Sequence, residues 1–370
     1  MGRTYPIHHA AWWGFTSPPE PIPDVYAIRI NSCWKGAQMA DGPKRVGEDV
    51  ERREHIKPKL SIDQQIAHLR AKGVKFEKCG VEEARIYLSH ERGFYELTAY
   101  RKLFTKRQGG ERDGEYANLD FAQLVAFAEL DESLRDALLV MTRQIEHYQG
   151  TKLNYAIDER EDEDGYAIVE DFLLSLKPES KDYMEKEFDR SAFSPYTRGI
   201  HEKYSGDKSA WAFLKVASFG SLVDFMRFCG RRWDDERLGG SHYNMKRVKS
   251  VRNCAAHGSC IINSFAEVDN AERPASREVH EAAAKTGASK ATRRKWLHNS
   301  AIQEIATTLV VYADVVPEGK MRQNGIARLK SFFDEADEVA DLLPSKGPDA
   351  KATAAISFVK SLTKSLGLIE

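Results

Sequence analysis

The stretch that decides the fold is LDFAQLVAFAELDESLRDALLVMTRQIEHYQGTKLNYAI, residues 119–157. An apolar stripe with steps of three and four residues predicts a single long amphipathic α-helix. We expect the packing partner of this helix to lie far away in the sequence. The apolar residues of the stripe are Phe121, Leu124, Val125, Ala128, Leu134, Leu138, Met141, Ile145 and Tyr148.

Segments on both sides of this stretch also have helical patterns. In PKLSIDQQIAHLRAKG (58–73), Ser61 and Gln64 have the spacing of a capping box, and Gly73 can end the helix. In SFGSLVDFMRFCG, Ser218 can cap a helix and Gly230 can end it. Strand alternation is sustained nowhere in the sequence, so we predict an all-α fold. The other predicted helices cover 81–92, 94–104, 168–176, 179–188, 208–216, 299–314, 321–340 and a terminal segment up to 370.

The composition of the chain limits the classes of protein to which it can belong. The 370 residues include 42% hydrophobic and 30% charged residues, with no apolar run of membrane-helix length and no secretory signal pattern. We therefore expect a cytoplasmic protein that does not bind membranes. The five cysteines are scattered and lack zinc-ligand spacing, so neither disulfides nor a metal is expected, and no cofactor is indicated. The net charge of −1 means that any contact with RNA must use a local basic patch.

The chain divides into three regions by pattern. Residues 1–55 are rich in Pro, Gly and aromatic residues and are interpreted as an N-terminal extension. Residues 56–265 form the predicted helical domain, and residues 266–370 form a C-terminal helical region.

The stretch VKSVRNCAAHGSC, residues 248–260, carries the strongest functional pattern. Only there is the arginine of an Arg/His pair followed directly by asparagine, and only there does a glycine, Gly258, close the helix after the histidine. The bare spacing is weak, because an arginine precedes a histidine by five positions five times in this chain. The five pairs are Arg3/His8, Arg85/His90, Arg237/His242, Arg252/His257 and Arg293/His298. The pair Arg237/His242 spans two glycines, so we do not expect one rigid element to hold it.

Helical geometry relates the three residues of this motif. Asn253 and His257 lie about 40° apart on one face, whereas Arg252 and His257 lie about 140° apart, so the arginine must reach around the helix end. A helix C-terminus attracts a protonated imidazole, which suits His257 to donate a proton, and arginine binds phosphate oxygens as a fixed fork. These groups suit RNA cleavage without a metal. The alternative is a helix end that its cations stabilise.

The chain resembles the Abi-like (abortive infection) family of prokaryotic defence proteins, within the HEPN superfamily. The resemblance covers about residues 56–265. The chain is also similar, more remotely, to the RNA-cleaving domains of type VI CRISPR effectors. The family commonly has a second histidine where this chain has Gly258, so that position transfers no role. The segments that carry the resemblance are KPKLSIDQQIAHLRAKG (57–73), ERGFYELTAYRKLF (91–104), ELDESLRDALLVMTRQIEHYQGTKLNYAI (129–157), SFGSLVDFM (218–226) and VRNCAAHGSCIINS (251–264).

The resemblance implies a HEPN-type helical bundle that cleaves RNA without a metal and acts in phage defence or as a toxin. It implies that Arg252 binds phosphate and stabilises the transition state, that His257 is the general acid or base, and that Asn253 orients His257 or the phosphate. Two such motifs would meet across a homodimer. Arg143 and Glu146 match a polar pair of the family, although an intrahelical ion pair explains them equally well.

Other residues and the activity itself each have more than one interpretation. Three basic residues before the motif either bind RNA phosphates or form a solvated basic face: Lys246, Arg247 and Lys249. Tyr95 and Tyr100 are predicted to pack in the core. The rival to a nuclease is an RNA-binding HEPN module without catalysis, regulated by a partner RNA or protein. A third alternative is a HEPN scaffold or nucleotidyl-transfer target that an antitoxin controls. The expected partners are substrate RNA, a regulatory non-coding RNA, an antitoxin and a second copy of the chain.

Overall fold

A computed structural model describes residues 59–267 and 271–370, and the predicted N-terminal extension lies outside them. The all-α prediction is confirmed, since the described residues contain fifteen α-helices and no strand. Residues Ile62–Glu370 form one compact unit. The helices are α1 (Ile62–Ala71), α2 (Val81–Ile86), α3 (Phe94–Ala99), α4 (Phe121–Asp158), α5 (Ala167–Ser175), α6 (Pro178–Arg190), α7 (Arg198–Tyr204), α8 (Ala210–Val216), α9 (Phe219–Arg232), α10 (Glu236–Ala256), α11 (Arg277–Ala284), α12 (Lys290–Leu297), α13 (Ser300–Val315), α14 (Lys320–Glu338) and α15 (Lys351–Ser365).

The long helix α4 is the centre of this unit. The periodicity predicted it at 119–157, and it spans Phe121–Asp158. It begins at Asp120, whose carboxylate accepts the amide hydrogen of Ala122 at 2.9 Å, while the Gln123 side chain accepts from the Asp120 amide at 2.9 Å. Helices α10, α13 and α14 pack against α4. The expectation of partners distant in sequence is therefore confirmed.

The helix that carries the Arg-Asn motif, α10, packs against α4, α9 and α13. Its apolar residues Met245, Val248 and Val251 are buried. The Ser250 hydroxyl donates a hydrogen bond of 2.8 Å to Glu304 of α13. Helix α10 is thus held on several sides, including by a helix from the C-terminal region.

Two predictions that involved glycines were wrong. Gly230 was expected to end α9, but the helix continues to Arg232, and a β-carbon at Gly230 would lie 2.4 Å from the Gly239 nitrogen of α10. The glycines at this crossing allow the two backbones to touch, so they do not break the helices. Arg237 and His242 therefore lie on one continuous helix. His242 is only 3% exposed and donates from Nδ1 to the Gly239 carbonyl at 2.7 Å.

The helices after residue 266 complete the core. In α13, the hydroxyl of Tyr312 donates to the Gln144 side-chain oxygen of α4 at 2.6 Å, and the Gln144 amide donates to the Met321 carbonyl of α14 at 2.8 Å. The proposed boundary between residues 265 and 266 stays a prediction. Across the described ranges, no helix combines the length and apolar character needed to span a membrane.

Candidate functional site

The Arg-Asn motif lies at the C-terminal end of α10, as its sequence predicted. Ala256 is the last helical residue, His257 is the C-cap, and Gly258 has a φ of +67°. A left-handed glycine directly after the cap is the expected way to end a helix. His257 is exposed, whereas Arg252 and Asn253 are half-buried.

Arg252 and Asn253 act as a pair on the wall of a cleft. The Arg252 guanidinium donates a hydrogen bond of 3.1 Å from Nη1 to the Asn253 side-chain oxygen, and both residues line a cleft of about 550 Å³. His257 does not line this cleft. The fold therefore brings together two of the three motif residues and leaves the histidine at the helix end beside them.

Three helices form the walls of this cleft. Helix α10 contributes the basic and amide side chains, α9 contributes its N-terminal turn, and α6 contributes its first two turns. The lining residues are Glu179, Ser180, Tyr183 and Met184 of α6, Ser218, Phe219, Gly220, Ser221 and Asp224 at α9, and Lys249, Arg252 and Asn253 of α10. The SFG segment, which helped to carry the family resemblance, thus lies beside the Arg-Asn pair.

The N-terminus of α9 is held in place by hydrogen bonds. The Ser218 hydroxyl accepts the Ser221 amide hydrogen at 3.3 Å, and Glu187 of α6 accepts from the Ser218 amide at 3.2 Å and the Ser221 hydroxyl at 2.6 Å. The Lys249 ammonium nitrogen would lie 3.5 Å from a β-carbon at Gly220. The Lys249 ammonium group therefore lies close to the start of α9.

The two residues of the supporting pair have different surroundings. Arg143 is exposed and Glu146 is half-buried. Both residues are described by the structure, and they do not form an ion pair with each other. Burial raises the pKa of Glu146, and the positive charge of Arg252 partly opposes that rise. Glu146 thus lies within electrostatic range of the motif arginine.

The three basic residues before the motif also separate. Lys249 lines the cleft and Lys246 is exposed. Arg247 donates from its guanidinium to the Pro274 carbonyl at 2.8 Å, and burial lowers its pKa while Glu304 opposes this shift. Of the three, Lys249 is the one placed beside Arg252 because it lies one helical turn before it.

A buried polar cluster behind the motif was missed by the sequence analysis. Asp131 of α4 accepts hydrogen bonds from the Tyr100 hydroxyl at 2.8 Å and from the amides of Ile261 and Ile262 at 3.2 and 2.7 Å. It also forms an ion pair with Arg135. This cluster fixes the chain just after the motif to α4. The signal in the sequence was an aspartate inside the apolar stripe with an arginine four residues later.

Tyr95 of α3 and Tyr100, the C-cap of α3, differ in position. Tyr100 is buried, as predicted. The prediction for Tyr95 was wrong, since it is 92% exposed. The short helix α3 buries Leu97 and Thr98 and turns the Tyr95 ring to solvent.

The other Arg/His pairs have local partners. Arg85 forms an ion pair of 2.5 Å with Asp63, and His90 Nδ1 lies 2.7 Å from the Ser89 hydroxyl. The Arg293 guanidinium donates to the Ala288 carbonyl at 2.6 Å. Arg3/His8 lies outside the described residues.

One comparison with known proteins supports the Abi-like part of the resemblance seen in the sequence. The family described as Abi-like protein matches residues 87–263. The matched region contains α4 and all three helices of the cleft. No curated protein and no solved structure matches the chain. Within 59–267 and 271–370, no group of three or more His, Cys, Asp and Glu residues is arranged to hold a metal ion.

Proposed function

We propose that this protein is a metal-independent endoribonuclease of HEPN type that acts in abortive infection or as a toxin. The single observation that carries the proposal is the state of two cations in the cleft. Among the described residues, neither Lys249 nor Arg252 forms an ion pair, although both line the cleft. Unpaired cations beside an amide side chain are suited to bind an RNA phosphate. The match to Abi-like proteins supports the biological setting.

The proposed reaction is a transesterification. The 2′-hydroxyl of one nucleotide attacks the adjacent phosphorus, the bond to the 5′-oxygen breaks, and a 2′,3′-cyclic phosphate and a 5′-hydroxyl result. His257 transfers the proton, Arg252 stabilises the negative charge at phosphorus, and Asn253 positions Arg252 through their hydrogen bond. Glu146 contributes a carboxylate near Arg252, and Arg143 has a supporting role at the exposed face of α4.

A homodimer completes the proposed site. One proton is removed from the 2′-hydroxyl and another is given to the leaving oxygen, so two proton-transferring groups serve the reaction best. One motif supplies one imidazole. A two-fold interface that brings two α10 ends together supplies the second.

The second candidate function is an RNA-binding module without catalysis. The observation that favours it is the position of His257 outside the cleft that holds Arg252 and Asn253. In that case Lys246, Lys249 and Arg252 bind RNA, Arg247 stabilises α10, and a partner RNA or protein regulates the module. A regulatory non-coding RNA and an antitoxin are proposed partners under either function.

The deciding experiment is the analysis of RNA products from the purified protein in EDTA. We expect cleavage to persist and to leave 2′,3′-cyclic phosphate and 5′-hydroxyl ends. Loss of cleavage on chelation, or 5′-phosphate ends, contradicts the reaction. Tight RNA binding without cleavage, by a protein that is also not toxic on induced expression, supports the binding module instead.

A further inference from the structure

An exposed aromatic ring lines the same cleft as the two unpaired cations. Tyr183 of α6 is 51% exposed, and its side chain lines the cleft that Lys249 and Arg252 line from α10. The Arg190 guanidinium carbon lies over one face of the Tyr183 ring, 5.9 Å from its centre, so a base would stack on the other face. Aromatic rings beside basic side chains are the combination that single-stranded nucleic acids use, because bases stack while phosphates bind the cations.

The charges of the cleft favour a nucleotide over a simple anion. Lys249 and Arg252 are accompanied by the carboxylates of Glu179 and Asp224, so positive and negative formal charges balance. A bare phosphate gains from the cations and is repelled by the carboxylates. A nucleotide offers its phosphate to the cations and offers hydroxyl and amino hydrogens to the carboxylates.

The size of the cleft fits the same ligand. Its volume of about 550 Å³ lies within the range of about 300–1,000 Å³ that small-molecule sites occupy. Ser180 and Ser218 also line the cleft and add hydroxyl groups to it. One nucleotide thus finds an aromatic surface, cations and hydroxyl groups within one cavity.

We propose that the cleft binds one unpaired nucleotide of RNA, with its base stacked on Tyr183 and its phosphate held by Lys249 and Arg252. This inference rests on the proposed function and adds to its site a base-stacking residue, Tyr183. A base inside a duplex is covered by its neighbours on both faces, so it cannot stack on Tyr183. Tyr183 therefore contributes to binding only where the nucleotide is unpaired.

The test uses the full chain carrying His257→Ala, so that bound RNA stays intact. Binding of a fluorescent single-stranded oligoribonucleotide is measured by anisotropy in this parent and in versions that also carry Tyr183→Ala, Tyr183→Phe or Tyr183→Trp. Loss of one stacked base weakens binding about 5- to 150-fold, so the alanine variant should lose that much. The phenylalanine and tryptophan variants should bind within about threefold of the parent, because each keeps an aromatic face.

The matched control is Tyr196→Ala, since Tyr196 is 93% exposed and does not line the cleft. It should leave binding unchanged. A duplex of the same sequence should bind more weakly than the single strand and should be insensitive to Tyr183→Ala. Thermal melting of each variant shows that the fold is retained, which is expected for an exposed side chain.

The outcomes separate this inference from the proposed function. If Tyr183→Ala binds like the parent while Lys249→Ala weakens binding, stacking is wrong and the RNA site stands. Equal loss for single strand and duplex also overturns the unpaired-nucleotide inference. If the parent binds no RNA and the wild type cleaves none, the proposed function itself fails.

Discussion

The hydroxyl of Tyr100 donates a hydrogen bond of 2.8 Å to the carboxylate of Asp131, at a place where both residues are fully buried. Replacing Tyr100 by Phe removes this donor but leaves Asp131 its two backbone donors and Arg135. We therefore expect the free energy of unfolding to fall by about 1–2 kcal/mol, measured by urea denaturation.

The control for this substitution is Tyr95→Phe in the preceding turn. Tyr95 is exposed, so its change should leave the free energy of unfolding within about 0.5 kcal/mol of the wild type. Asp131→Ala should cost about 3 kcal/mol or more because it leaves the buried Arg135 with only the Glu96 carboxylate at 4.0 Å. A Tyr100→Phe protein as stable as the wild type contradicts the assigned role of this hydrogen bond.

Among the Arg/His pairs, alanine substitutions should affect toxicity at only one. Arg252→Ala or His257→Ala should abolish growth arrest on induced expression, while thermal melting shows an intact fold. Arg85→Ala and His90→Ala should retain it, because Arg85 is bound by Asp63 away from the cleft.

Arg293→Ala and His298→Ala should also retain toxicity. A His90→Ala protein that is stable and not toxic has the opposite meaning. It points to a site within one chain that is built from two Arg/His pairs.

Assembly is tested by mass and by mixing. Light scattering should report a particle of about twice the chain mass of 41.9 kDa. Heterodimers of wild-type chains and chains carrying Arg252→Ala/His257→Ala should cleave RNA far more slowly than wild-type homodimers, because each shared site lacks one motif. A fully active monomer at assay concentration rules out the shared site.

The burial of Glu146 gives stability a dependence on pH. Burial raises the pKa of this carboxyl above its ordinary value of 4.5, so its ionised form is disfavoured in the folded state. The folded protein therefore loses stability when Glu146 ionises. This loss is absent below the ordinary pKa and grows as pH rises through the raised pKa of the folded state. Glu146→Gln should therefore melt a few degrees above the wild type near neutral pH and level with it at about pH 4.

Glu146→Gln also tests whether Glu146 orients Arg252. A melting difference that is equal at both pH values contradicts the ionisation argument. If Glu146 also orients Arg252, cleavage by Glu146→Gln should be slower in kcat even though the protein is more stable.

The contact between α9 and α10 makes Gly230 intolerant of a side chain. In Gly230→Ala the new β-carbon would lie 2.4 Å from the Gly239 nitrogen, so the helices must separate. We expect a loss of about 1–3 kcal/mol in the free energy of unfolding. Gly240→Ala is the matched control, since that glycine is also helical and nothing lies within 4 Å of its β-carbon position. It should gain about 0.5–1 kcal/mol.

Local patterns explain what the sequence could predict. Helix α4 was located within two residues of its bounds because one apolar stripe spans its length. The end of α10 at His257 followed from the glycine after it. Lys249 and Arg252 share a face of α10 because they are three residues apart.

Tertiary contacts explain what it could not predict. Nothing local marks Tyr183 as a neighbour of Arg252, because α6 reaches the cleft only through packing. Gly230 was misread since a glycine at a close helix crossing and a glycine at a helix end look alike in one sequence. The pairing of Asp131 with the amides of Ile261 and Ile262 links positions far apart in the chain.

The Ser250 hydroxyl, two residues before Arg252, is bound to Glu304, which lies beyond the end of the family match at residue 263. The segment that is recognisable by its relatives and the segment that folds as a unit are therefore different lengths of chain. A polypeptide cut at residue 263 would expose the faces of α4 and α10 that α13 and α14 cover. The match to Abi-like proteins thus ends before the C-terminal helices α13 and α14, against which its own helices α4 and α10 pack.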